Sequence, residues 1–168
     1  EFSPNGKYLV AVSRDRQLSL WDVDTGFKLV EIKQGHSRII WDCCWLGSRH
    51  FVTGSRDKLI KLWKVSDGGE QFELIATQKF ELPVSSVAST SEGDGKKYYV
   101  AIGMESGIQI VTIDIEAGTL NESIKFDNNI TPSGRISKLA WGDETEVGKR
   151  VLSVGSNDSS VRVYNIAI

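Results

Sequence analysis

Cysteine is nearly absent from this sequence: Cys43 and Cys44 are the only two, and they are neighbours. Adjacent residues on a strand point to opposite faces, so the pair is badly placed to bridge itself. A disulfide framework and any Cys/His zinc spacing are thereby excluded, and a reducing compartment is the expectation. Histidine is as scarce, with two residues, and His50 has no companions spaced as metal ligands. No apolar run approaches the roughly 20 residues a membrane span needs, which argues against a membrane partner. The start, EFSPNGKYLV, carries no secretory signal and opens mid-pattern without an initiator Met, as a fragment does. Convincing helical periodicity is missing throughout.

What is present is the mix of a globular protein, 168 residues that are 40% hydrophobic and 25% charged, enough for a real core. The net charge of −2 hides an uneven distribution. Between Lys7 and Lys64 there are eleven Lys/Arg against six Asp/Glu, and the remainder is strongly acidic. A basic half joined to an acidic half suggests a face that attracts anionic partners, or simply two differently solvated surfaces.

Internal repetition decides the fold. Four segments align: VSRDRQLSLW (12–21), GSRDKLIKLW (54–63), IGMESGIQIV (102–111) and GSNDSSVRVY (155–164). Each has an acidic residue fourth (Asp15, Asp57, Glu105, Asp158) and an alternating strand ending six residues later (Trp21, Trp63, Val111, Tyr164). The intervals of 42, 48 and 53 residues bracket the length of a four-stranded propeller blade. Strand patterns fall at 8–13, 17–23, 28–33, 39–45, 50–55, 59–65, 72–78, 84–89, 98–103, 108–113, 120–126, 136–141, 151–155 and 161–166. Turn signals such as Pro4-Asn5-Gly6, Asp24-Thr25-Gly26 and Asp67-Gly68-Gly69 separate them. The stretches 91–97 and 142–149 read as solvated loop tips. The class is all-β.

The second repeat resembles the WD-repeat family: Gly35-His36 precedes a strand, and Ser55-Arg56-Asp57 leads into one ending Leu62-Trp63. The resemblance implies a structural tetrad of His36, Ser55, Asp57 and Trp63. Its physics is general, because a buried Trp has one N–H that must find an acceptor, a hydroxyl can relay it to His, and Asp holds the other ring nitrogen. A Ser-His-Asp set also invites a hydrolase reading, which the neighbouring Trp63 and the lack of a GxSxG-type turn argue against. The other repeats depart. The first has Ser13, Asp15 and Trp21 but no His, the third has no Gly-His, and the fourth has Ser156 and Asp158 with Tyr164 for Trp.

The implied architecture is a WD-repeat β-propeller, four blades of a larger, seven-bladed ring, incomplete at its N-terminal side. Residues 1–168 are its C-terminal part, with blades at about 1–33, 34–81, 82–130 and 131–168. Such rings take the last blade's outer strand from their beginning, so stopping after a third strand resembles a natural end. Four blades leave open edges that require the upstream ones.

FSPNGKYLVAVSRDRQLSLW (2–21), HSRIIWDCCW (36–45) and FVTGSRDKLIKLW (51–63) are more specific. Together they are similar to the second propeller of the second-subunit family of the Elongator complex. That implies a non-catalytic scaffold, without cofactor or small-molecule substrate, acting in cytoplasm and nucleus. Its partners would be the large scaffold subunit and the catalytic subunit of an assembly that modifies the wobble uridine of tRNA.

Arg14 and Arg56 each precede a turn Asp, Arg16 follows one, and Arg38 lies in the turn after His36, so with Trp41 they are expected on one rim. Arginine forks suit phosphate or carboxylate, and interface centres favour Arg and Trp. Either tRNA or an acidic protein surface is the implied partner. The plainer alternative is that these arginines pair with Asp15, Asp57 and Asp42 and staple turns. Three further readings remain open at this point: an adaptor for another assembly, an enzyme on a propeller, or a direct nucleic-acid binder, which would show a steep salt dependence.

Overall fold

The computed structural model describes the chain except for residues 92–94, 127–130, 147 and 168. Among the described residues fourteen strands form four antiparallel sheets, each a simple meander. The first holds β1 (Tyr8–Val12), β2 (Gln17–Asp22) and β3 (Lys28–Gln34). The second holds β4 (Ile40–Leu46), β5 (His50–Ser55), β6 (Leu59–Val65) and β7 (Phe72–Lys79). The third holds β8 (Val84–Ser91), β9 (Lys97–Met104), β10 (Ile108–Asp114) and β11 (Thr119–Lys125). The fourth holds β12 (Ile136–Glu146), β13 (Lys149–Ser156) and β14 (Val161–Ala167).

Two-residue alternation explains why the sheets stack. On β6, Ile60 and Leu62 point to one face while Trp63 and Val65 point to the other, and all four are buried. Three apolar cores result, one between each successive pair of sheets. The first joins Tyr8, Val10, Leu18 and Leu20 to Phe51, Trp63 and Phe72. The second joins Val52, Ile60 and Leu62 to Val100, Ile102 and Val111. The third joins Ala101, Ile108 and Ile110 to Leu139, Leu152 and Val154. Each sheet thus presents one face backward and one forward, the arrangement of propeller blades.

Cys43 and Cys44 follow the same alternation and enter different cores. Burial pushes the Cys43 thiol up to about 12 and Cys44 up as well, so neither is a ready nucleophile. The stretch 142–149 is not the expected loop. β12 continues to Glu146 and β13 begins at Lys149, with Glu144 opposite Arg150 and Glu146 opposite Lys149 across two register shifts. The two strands therefore extend as a hairpin into that stretch. The tip within 91–97 falls partly outside the described residues, at 92–94.

β8 packs against both β4 and β12, and one carboxylate ties the three first strands together. Asp42 Oδ2 accepts the Ser86 hydroxyl at 2.8 Å and the Val87 amide at 3.1 Å, and both Asp42 oxygens receive Lys138 Nζ at 3.1 Å. Ser86, fully buried, accepts the Leu139 amide in turn at 3.1 Å. Gly54 and Gly103 allow the close stacking. A Cβ on Gly54 would lie 2.7 Å from Val84, and one on Gly103 would lie 2.6 Å from Ile136, each on the next blade's first strand.

Candidate functional site: a buried relay beneath a basic rim

The hydrogen-bonded relay of the second blade runs through Thr53, not Ser55. Trp63 Nε1 donates to Thr53 Oγ1 at 2.9 Å, and Thr53 Oγ1 lies 2.7 Å from His36 Nε2. His36 Nδ1 sits 3.0 and 3.1 Å from the two Asp57 oxygens. An ionised carboxylate only accepts, so Nδ1 carries the proton, and Nε2 accepts from the threonine hydroxyl. Ser55 instead donates to the Ile39 carbonyl at 2.8 Å and accepts the Asp57 amide at 3.2 Å, holding the turn. The reason is register. Phe51 lies opposite Trp63 and Thr53 opposite Lys61, so Thr53 is the diagonal neighbour of the indole and Ser55 one step too far.

His36 and Thr53 are both buried, which spends the hydroxyl and both ring nitrogens internally. Burial, opposed by Asp57, pushes the His36 pKa down, so the imidazole is neutral. Burial also pushes the Asp57 carboxyl up. His36 and the amides of Ser37 and Leu59 outweigh it and hold Asp57 below its ordinary value. In acid the unfolded His36 takes up a proton near 6.5, whereas the folded one takes it up only at lower pH. Between those values the unfolded state binds more protons, so stability is full above 6.5 and lost as pH falls. The melting temperature is expected to drop between about pH 7 and 5. A His36→Asn variant should start lower and slope less, retaining the same-signed contribution of His50, whose pKa burial also lowers. An unchanged slope would remove His36 from the relay.

The other blades lack the relay hydroxyl. In the first, Trp21 donates to Ser19 on its own strand at 2.9 Å, because Ala11 occupies the place of Thr53. In the fourth, Asp158 accepts the Ser133 amide at 3.3 Å, as Asp57 accepts Ser37, but its cationic partner is Arg162 at 3.2 Å. The hydroxyl and amide of Ser160, opposed by burial, hold the Asp158 carboxyl well below its usual range. The third blade corrects the repeat alignment. Gly103 lies opposite Ile108 as Gly54 lies opposite Ile60, and Glu105 N donates to the Pro83 carbonyl as Arg56 N donates to Ile39. Glu105 therefore occupies the place of Arg56, not of Asp57, in a turn one residue shorter.

Above the relay the turns form a rim. The Ile40 amide bonds the Ser13 carbonyl at 3.3 Å, Gly35 bonds Arg16 at 3.0 Å, and Arg56 bonds Ile39 at 3.0 Å. This chain of backbone bonds brings the supports of Arg14, Arg16, Arg38 and Arg56 to one end of the first two sheets. All four side chains are exposed. The turn-stapling alternative does not hold for them. Among the described residues none is ion-paired, and Arg16 reaches only the Asp15 carbonyl at 3.3 Å. Asp57 is committed to the relay and Asp42 to Lys138. Arg16 adopts φ +76°, as Lys58 does at +71° in the matching place, so the two turns share one backbone shape. Trp41 is half-buried, and its ring carries Arg135 of the fourth blade, guanidinium carbon 5.4 Å from the centroid. Arg135 escapes the repeat pattern because no Gly-His pair marks the turn before the fourth blade's first strand, as one does before Arg38.

The family described as "WD domain, G-beta repeat" matches residues 1–22 and 27–64, which lie within the first two blades. Elongator complex protein 2 of Saccharomyces cerevisiae is 33% identical over 99% of this chain, and that of Arabidopsis thaliana 31% identical over 98%. The chain spans 22% of the length of each. Among solved structures, the WD40 β-propeller domain of Doa1 superposes with a TM-score of 0.64 at 22% identity, covering 97% of this chain and 48% of that one. This likeness concerns the fold. With the four stacked meanders and the relay beneath their rim, these likenesses make the chain a member of the WD-repeat β-propeller family, part of one propeller and similar to Elongator complex protein 2 over nearly its whole length.

Proposed function

We propose that this chain serves as a non-catalytic scaffold within the Elongator assembly, in cytoplasm and nucleus, and supports wobble-uridine modification of tRNA by holding partner subunits. The rim formed by Arg14, Arg16, Arg38, Arg56 and Trp41 is its docking surface, and its partners are the large scaffold subunit and the catalytic subunit. One observation carries the reading: four exposed guanidinium groups share an end of two blades without a carboxylate of their own. Interface centres are enriched in arginine and tryptophan, and an unpaired guanidinium fork is ready for an anionic group. The Thr53-His36-Asp57 relay supports structure rather than catalysis, since the threonine hydroxyl and both imidazole nitrogens are spent on internal bonds and Ser55 holds the turn instead.

Replacing the four arginines with alanine in the full-length protein is expected to leave its melting temperature unchanged. Co-purification of the partner subunits and wobble-uridine modification, both read by mass spectrometry, are expected to fall together. Normal assembly and normal modification in that variant would sink the proposal.

A further inference from the structure

The rim is not uniformly basic, and its pattern selects among anionic partners. Arg14 and Arg56 occupy equivalent turn positions on the first two blades, and Glu105 stands in that place on the third. Glu81, just before the third blade, is exposed as well. A chain following the turns from blade to blade thus meets two positive steps and then a reversal. Arg135 restores positive charge on the inner side. It reaches from the fourth blade to Trp41 on the second, past the third, while Lys138 makes the parallel reach to Asp42. The Arg135 side chain is exposed, and its cation–π contact with Trp41 consumes none of its N–H donors.

We infer that Arg135, seated on Trp41, is a fifth cation of the docking surface and that this surface takes an acidic polypeptide segment rather than RNA. Three features favour that class. Arg135 already lies over the Trp41 ring, so a base stacking on that face must displace it, and base stacking is a main source of single-strand affinity. Glu105 and Glu81 interrupt the outer path on which a continuous phosphodiester backbone would run, and like charge opposing a partner acts against it. What remains is a short set of separated forks, Arg14, Arg56 and Arg38 on one side and Arg135 on the other. Such forks match carboxylates spaced along an extended segment that crosses the inner edge.

This inference rests on the rim being the docking surface, and the test separates the two. Full-length protein is titrated with a fluorescein-labelled oligoglutamate peptide and, separately, with labelled oligouridylate and a labelled RNA hairpin, all read by anisotropy. Wild type is expected to bind the peptide saturably and more tightly than either RNA. Arg135→Ala should weaken the peptide about fivefold, the usual effect of truncating an interface arginine, and Arg135→Lys should recover part of it. Glu105→Ala should narrow the gap between peptide and RNA. If Arg135→Ala binds the peptide as wild type does while the four-arginine variant loses it, the rim stands and the inference falls. If the four-arginine variant also binds normally, both fall. Tighter binding of RNA than of peptide, or no saturable peptide binding by wild type, overturns the acidic-segment assignment.

Discussion

Thr53→Val is expected to destabilise the propeller by about 3 kcal/mol, far more than its conserved shape suggests, because two buried polar groups lose their partner together. The Trp63 indole N–H and the His36 Nε2 lone pair both depend on that hydroxyl, at 2.9 and 2.7 Å. Valine keeps the volume and the β-branch, so packing against the indole changes little and the effect isolates the hydrogen bonds. Thr53→Ser keeps the hydroxyl and should cost less than about 1 kcal/mol, the scale of a lost methyl. Ser55→Ala removes a turn bond to Ile39 and the acceptor for the Asp57 amide, a loss of about 1 kcal/mol. Denaturant midpoints of the three variants in full-length protein provide the check. The order Thr53→Val, then Ser55→Ala, is the result that supports the relay. A larger effect at Ser55 would restore the serine reading that the repeat pattern suggests.

The same residue shows what the sequence makes legible. Repeat length and fourteen strand segments follow from periodicity, the resemblance to WD repeats implies Trp63, Asp57 and His36, and the sheets stand where the strand patterns lie. Thr53 was recoverable too. Pairing the strands about the turn at Asp57 puts Phe51 opposite Trp63 and Thr53 beside it. A motif read by spacing alone selects Ser55, since spacing along one strand says nothing about which hydroxyl lies diagonally across the ladder. Glu105 was misaligned for a related reason. An acidic residue in the fourth place looks like Asp57 until the Gly103–Ile108 pairing reveals a shorter turn.

Contacts that skip a blade lie beyond local pattern altogether. Arg135 and Lys138 are separated by nearly a hundred residues from Trp41 and Asp42, and only the stacking of β4, β8 and β12 brings them together. Charge asymmetry pointed to a basic half. It did not locate the fifth cation, because that cation comes from the acidic half.

Asp42 is where this long-range order is most exposed to substitution. Asp42→Ala removes the acceptor for the fully buried Ser86 hydroxyl and for the Val87 amide, and it frees Lys138. Two orphaned buried donors put the cost at about 2–4 kcal/mol, read as a denaturant midpoint shift in the full-length protein. Lys138→Met should cost under about 1 kcal/mol, because its amino group is largely exposed and such pairs are screened. Asp42→Asn keeps an acceptor for Ser86 or Val87 and belongs between them. That ranking separates a carboxylate that organises three strands from one that merely pairs with a lysine, and equal effects of Asp42→Ala and Lys138→Met would show the latter. The consequence reaches the rim, because the contacts that hold β12 against β8 and β4 also set where Arg135 meets Trp41. Loosening Asp42 should therefore weaken binding of the acidic peptide even though Asp42 itself carries the wrong charge to touch it.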